Sequence, residues 1–309
     1  MMKGEEIQNV IEKSLAELKD FQTATVNHIF QKLYSKDENE NRHLVADEVG
    51  LGKTKVAKGL IAKALEKHLS ENGKKEPFRA VYICSNQALV LKNLKDLNVL
   101  RDEEFINTNR SRLIFLALKQ KENKIFQLSS LTPSTSFRLI KGTGIADERK
   151  LIWLILSKYE VYSRKRRRNG LKLVLKGNVK DENSKWWKQE LDYYEINNRK
   201  NVRNEVYNPF RKAIANEFVN LDDRYYQSIS KELNLKGQRS LQEIIIKYSE
   251  KLRNDNVHKY NGQLRLLGLL RKLLTNICLD FLKADLFILD EFQRFKELLE
   301  NDHEDPSEA

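Results

Sequence analysis

The stretch Ala46-Asp47-Glu48-Val49-Gly50-Leu51-Gly52-Lys53-Thr54 constrains this chain more than any other. Lys53 and Thr54 open an amphipathic helical pattern carried by Val56, Leu60, Ile61, Ala64 and Leu65. The apolar run His43-Leu44-Val45-Ala46 before the stretch reads as a strand. A strand, a glycine-bearing turn and a helix N-terminus make a phosphate cradle. Backbone N–H groups point inward, the helix dipole favours anions, and the lysine brings a cation to the terminal phosphates. The pattern G-x-x-x-x-G-K-[ST] has its first glycine where Asp47 stands here.

The 309 residues suffice for two ordinary domains or for one domain with a large insertion. With 32% charged residues and a net charge of +12, a polyanionic partner such as nucleic acid is the default expectation, against a basic protein with merely solvated helix faces. Cys84 and Cys278 lie far apart in apolar runs, which excludes a disulfide framework and a cysteine-rich metal site and fits a reducing cytoplasm. His28, His43, His68, His258 and His303 form no ligand spacing. No signal peptide is expected from the charged start Met1 to Glu6. No membrane partner is expected either, since the longest apolar run, Leu151 to Leu156, is far short of a span.

Residues 5–35 read as two helices around Asp20-Phe21-Gln22. Ala80 to Cys84 is a buried-strand pattern followed by a helix over Gln87 to Leu97, and Arg112 to Leu116 and Ile125 to Leu128 read as further short strands. Leu286-Phe287-Ile288-Leu289 is a last apolar run, closed by Asp290 and Glu291. Strands alternating with helices predict a parallel sheet covered on both faces. Between Ala146 and Lys283 the texture turns helical, with one proline, Pro209. The expected organisation is a first part over 1–145, a basic helical insertion over 146–283, a closing strand segment over 284–300 and an acidic tail over 301–309.

A phosphate cradle needs a metal partner at the end of a nearby strand, and Asp290 and Glu291 are placed for it. The aspartate would reach Mg²⁺ and the glutamate would orient the attacking water, the alternative being a helix cap with its first-turn acid. Asp47-Glu48-Val49-Gly50-Leu51-Gly52-Lys53-Thr54 resembles motif I of superfamily 2 helicases of the chromatin-remodeller-like branch, whose usual form is Asp-Glu-x-Gly-x-Gly-Lys-Thr. Asp290-Glu291-Phe292-Gln293 is similar to motif II, Leu18 to Gln22 to the upstream glutamine motif, Tyr82 to Asn86 to motif Ia, and Ser130 to Phe137 lies where motif Ib belongs.

The resemblance implies an α/β fold: a P-loop, RecA-like parallel sheet flanked by helices, with a large helical insertion before the last motif strand. It implies ATP and Mg²⁺ as cofactors and DNA or RNA as partner. Lys53 would hold the β- and γ-phosphates, Thr54 and Asp290 the metal, and Glu291 the water. Glu48, Gly50, Leu51 and Gly52 would close round the phosphates, and Gln22 would read adenine, unless Gln22 simply begins an amphipathic helix. Ser85, Asn86, Thr132 and Ser134 would hold phosphates of one nucleic-acid strand or else cap helices.

Helicases of this kind complete their ATP site with arginines of a second lobe, and only residues 292–309 follow Glu291. The expectation is therefore a truncated or split-gene lobe completed in trans, with little turnover alone. The alternatives are a non-hydrolysing nucleic-acid-binding module and an unrelated P-loop NTPase. In the insertion, Arg164, Lys165, Arg166, Arg167 and Arg168 stand in sequence near Trp186-Trp187 and Tyr193-Tyr194. Cations beside aromatic faces suit a single strand, while the competing reading is a solvated loop with its aromatics packed in a helical core.

Overall fold

The computed structural model describes residues 4–35, 40–46, 50–73, 75–85, 87–102, 105–107, 112–118, 125–132, 143–254 and 261–291. The chain forms two compact units, one from Met1–Ser111, Lys121–Pro133 and Lys283–Glu300, the other from Arg112–Gln120, Ser134–Leu282 and Asn301–Ala309.

The first unit begins with α1 (Gly4–Ala16), which buries Ile7, Ile11 and Ser14 along one stripe and carries Glu5 and Glu6 in its first turn, where the helix dipole favours acids. Next, α2 (Asp20–Tyr34) buries Gln22, Val26 and Ile29 at the same helical spacing. Then α3 (Lys53–Asn72) starts after a left-handed Gly52 and ends on a left-handed Gly73. Three strands follow: β1 (Phe78–Cys84), β2 (Ile106–Asn107) and β3 (Phe126–Leu131), with α4 (Gln87–Leu97) between β1 and β2.

The second unit is helical: α5 (Ala146–Leu156), α6 (Lys165–Val174), α7 (Ser184–Asn198) and α8 (Asn204–Asn216). A small antiparallel pair comes next, β4 (Phe218–Asn220) and β5 (Gln238–Ser240), with α9 (Gln227–Leu233) between them, and then α10 (Leu241–Asn254) and α11 (Asn261–Leu279). Its core gathers Trp153, Trp187, Tyr162, Phe210, Tyr248 and leucines from α5, α6, α10 and α11. Gly170 lets α6 lie directly on α10: a Cβ there would come within 2.1 Å of the Ser249 carbonyl oxygen. The buried Gln263 amide donates to the Leu173 and Val174 carbonyls at 3.0 and 2.8 Å, satisfying groups that the C-terminus of α6 leaves open.

The chain returns to the first unit as β6 (Leu286–Asp290). The sheet order is β2-β3-β1-β6, all parallel, with Val81 opposite both Ser129 and Phe287. The fold is α/β with a parallel sheet flanked by helices. Phe78, Ala80, Tyr82, Cys84, Phe126, Leu128, Leu286 and Ile288 share one face and pack with α1 to α4. On the opposite face Val81 and Leu131 are buried outside that cluster, while Phe287 and Leu289 are 46% and 49% exposed. Among the described residues the cluster shared with the helices of this unit lies on one face, where the sequence predicted cover on both.

Two expected strands are absent. His43–Ala46 forms no strand and joins no ladder among the described residues, and Leu44 is 61% exposed. Arg112–Leu116 is instead a 3₁₀ turn, Leu113–Ala117, whose Ile114 and Ala117 enter the core of the helical unit. Short apolar runs of this kind fit a buried strand or a buried helical turn equally well. No helix among the described residues is long and apolar enough to cross a membrane.

Candidate functional site

Within the first unit the glycine loop and α3 are built as a helix start that only glycine permits. Gly50 and Gly52 have φ of +97° and +82°, the left-handed region that other residues rarely adopt. The Gly52 carbonyl accepts from the N–H groups of Lys55 at 2.8 Å and Val56 at 3.2 Å, which leaves Lys53 exposed in the first turn. Gln22 fixes this loop to α2. Its side-chain amide donates to the Leu51 carbonyl at 3.0 Å and its carbonyl accepts from the Lys19 N–H at 3.1 Å. A Cβ on Gly52 would sit 2.7 Å from the Gln22 amide nitrogen. Gln22 is thus buried and engaged with the loop, a positioning role that the sequence did not foresee. Asp47, Glu48 and Val49 lie outside the described residues, as do Asn86 and Ser134.

The carboxylate end of β6 forms a second group. Asp290 accepts from the Tyr82 hydroxyl at 2.5 Å and from the Asn93 amide at 3.4 Å, and Asn93 also donates to the Tyr82 oxygen at 2.6 Å. Burial, and then the Asp290 carboxylate, push the Tyr82 hydroxyl well above the usual range, so it stays protonated and donates. Glu291 follows with φ +53°, a left-handed conformation unusual for a side-chain-bearing residue, and accepts from the Ser85 hydroxyl at 3.2 Å. Ser85 and Glu291 are therefore brought together. Tyr82 and Asn93 were not singled out from sequence as partners of Asp290. The legible signal was Asn93 itself, a polar residue on the inward phase of α4 beside the buried Val90, Leu94 and Leu97. Thr132, the residue after β3, is fully buried.

A cavity of about 530 Å³ opens beside the first turns of α3, lined among others by Thr54, Lys55, Lys58, Lys95, Arg101 and Glu17. Burial, and then the Arg101 and Lys55 cations, lower the Lys58 ammonium from its ordinary value, while Glu17 and Asp96 oppose this. Of the loop and strand-end candidates only Thr54 is in its wall; Lys53, Asp290 and Glu291 are not. Among the described residues no three His, Cys, Asp or Glu side chains stand close enough to hold a metal alone. Both cysteines are buried, and burial pushes the Cys278 thiol up to about 12, away from nucleophilic chemistry.

In the helical unit, the basic run divides. Arg164 precedes α6, and Lys165, Arg166, Arg167 and Arg168 occupy its first turn, the end where the dipole disfavours cations. Arg168 is a strut: it pairs with Glu195 and lies over the Trp153 ring at 4.7 Å. Arg164, Lys165 and Arg166 stand exposed with no carboxylate partner among the described residues. The aromatic pairs divide too, with Trp187 fully buried and Trp186 54% exposed, Tyr194 against the core and Tyr193 67% exposed.

Protein-family models, curated proteins and solved structures yield no match to this chain.

Proposed function

We propose that the chain is the ATP-binding lobe of a nucleic-acid-dependent ATPase of the helicase or translocase type, completed by a second lobe. In this reading the loop before α3 is the P-loop of a RecA-like sheet, and the helical unit is a large insertion between β3 and β6. The observation that carries it is the left-handed Gly50–Gly52 loop that leaves Lys53 exposed at the start of α3, in the same unit as a strand ending in Asp290 and Glu291. Lys53 and the N–H groups of that first turn hold phosphates. Thr54 and Asp290 are the ligands for Mg²⁺, which when bound neutralises phosphate charge, and Tyr82 and Asn93 hold the Asp290 carboxylate in place. Glu291 orients the attacking water, with Ser85 fixing its carboxylate.

Calorimetry tests this reading. A charge-assisted contact to phosphate is typically worth ~1.5–3 kcal/mol, so Lys53→Ala should weaken Mg-ATP binding roughly tenfold or more without altering the fold. Equal affinity in the two proteins would sink the assignment. A second reading, a nucleic-acid-binding module without turnover, is favoured by one observation: the Gln22 amide is buried and used internally rather than displayed for a base. Gln22→Ala separates the two. It should loosen the loop and lower ATP affinity severalfold if the loop binds phosphate, and leave nucleic-acid binding untouched in either case.

A further inference from the structure

The outer face of α7 is unlike that of a solvated helix. Its three acids are all paired: Glu190 with Lys150 at 2.6 Å, Asp192 with Lys172 at 2.5 Å, and Glu195 with Arg168, although the Asp192 side chain stays about half exposed. Its most exposed residues are Lys185, Trp186, Gln189, Tyr193, Ile196 and Asn197, none of them an acid. Three of these are large and apolar, with Ile196 80% exposed beside the two rings. Trp186 and Tyr193 are seven residues apart on one side of the helix, about 10 Å along its axis.

The neighbouring cations share this end of the unit. Arg168 meets Glu195 while Lys172 meets Asp192, and Lys172 also offers its carbonyl to the Trp187 indole at 3.1 Å. These pairings run in opposite directions along the two helices, so α6 and α7 lie antiparallel. The start of α6, where Arg164, Lys165 and Arg166 are exposed with no carboxylate partner among the described residues, is thus beside the last turn of α7, which exposed Arg199 and Lys200 follow. Cations crowded at a helix N-terminus are unfavourable in isolation and favourable opposite a polyanion.

We infer that this face binds single-stranded nucleic acid, with bases stacked on Trp186 and Tyr193 and phosphates held by Arg164, Lys165 and Arg166. The inference rests on the nucleic-acid part of the proposed function and names its surface and strand state. Stacking platforms in line with a row of cations suit a single strand, because a duplex keeps its base faces hidden. A second copy of the chain would set the same cations against one another. A membrane-binding face would carry apolar residues where Gln189 and Asn197 stand.

The test uses the full chain with a labelled short oligothymidylate, a duplex of equal length and anionic lipid vesicles. The chain has three tryptophans, of which Trp153 and Trp187 are buried, so quenching on binding reports Trp186. The expected results are quenched emission and preferential binding of the single strand. Trp186→Ala with Tyr193→Ala should weaken it by about tenfold or more while duplex binding stays constant. Arg164→Gln, Lys165→Gln and Arg166→Gln together should reduce the log–log salt slope by about 2. Unchanged single-strand affinity in the ring variant would overturn the inference, as would tighter binding of duplex than of single strand, or capture of vesicles but not of the oligonucleotide. Mg-ATP binding is scored separately. Binding of oligonucleotide but not ATP removes the nucleotide reading alone, and the reverse removes this inference alone.

Discussion

Glu148→Ala should destabilise the helical unit by about 3–5 kcal/mol. The Glu148 carboxylate is wholly buried and accepts from Arg112 at 3.0 Å, from Arg271 at 2.9 Å and from the Ile145 N–H at 3.0 Å. Arg271 is itself buried, and Arg149, buried next along the chain, has its guanidinium pK lowered by desolvation and then by Arg271. Among the described residues, Arg112, Arg149 and Arg271 thus gather about the Glu148 carboxylate. Removing that carboxylate leaves desolvated cations facing one another, and the cost of an unpaired buried charge exceeds the modest net worth of the pair. Glu148→Gln keeps the volume and one acceptor, so it should fall between alanine and the wild type. All three tryptophans lie in this unit, so denaturation followed by tryptophan emission isolates its unfolding. A midpoint unchanged by alanine would show that the cluster tolerates its excess charge.

Trp187→Ala should cost a similar ~3–5 kcal/mol, for a different reason. The ring is fully enclosed, its indole N–H donates to the Lys172 carbonyl, and the Arg149 guanidinium lies 5.0 Å from its centroid. Truncation opens a cavity, orphans a carbonyl and removes the aromatic face from an already crowded cation. Its neighbour supplies the control. Trp186 is more than half exposed, so Trp186→Ala should stay within about 0.5 kcal/mol of the wild type. Equal destabilisation by the two alanine substitutions would mean that α7 does not present the faces described.

That contrast also marks how far the sequence could be read. Residues adjacent on a helix point about 100° apart, and on α7 the spacing Trp187, Leu191, Glu195 marks the buried stripe and leaves Trp186 off it. The strands β1 and β6 were legible as apolar runs and β3 in part, from Ile125 to Leu128, and α4 was legible with its limits because its apolar phase is unbroken. His43–Ala46 was misread because a strand is a property of two segments, and the sequence names no neighbour for it. The β4–β5 pair was missed because three residues carry too little alternation to register. At the candidate site, spacing alone pointed to Lys53 and Asp290. The contacts that hold them, Gln22 on Leu51 and Tyr82 with Asn93 on Asp290, join distant segments and became visible only in the fold.

The close seat of α6 on α10 at Gly170 bears on the thermodynamics of whatever meets the first turn of α6. With no room for a methyl group between the two backbones, the helices cannot slide or roll against each other without unpacking the core. The cations of that turn are therefore carried on a rigid mount, and only their side-chain rotamers remain to be immobilised. A ligand docking there meets a preorganised surface and loses little conformational entropy. Its binding heat capacity should be small, unlike that of a segment that folds as it binds. Its affinity should vary with ionic strength far more than with temperature.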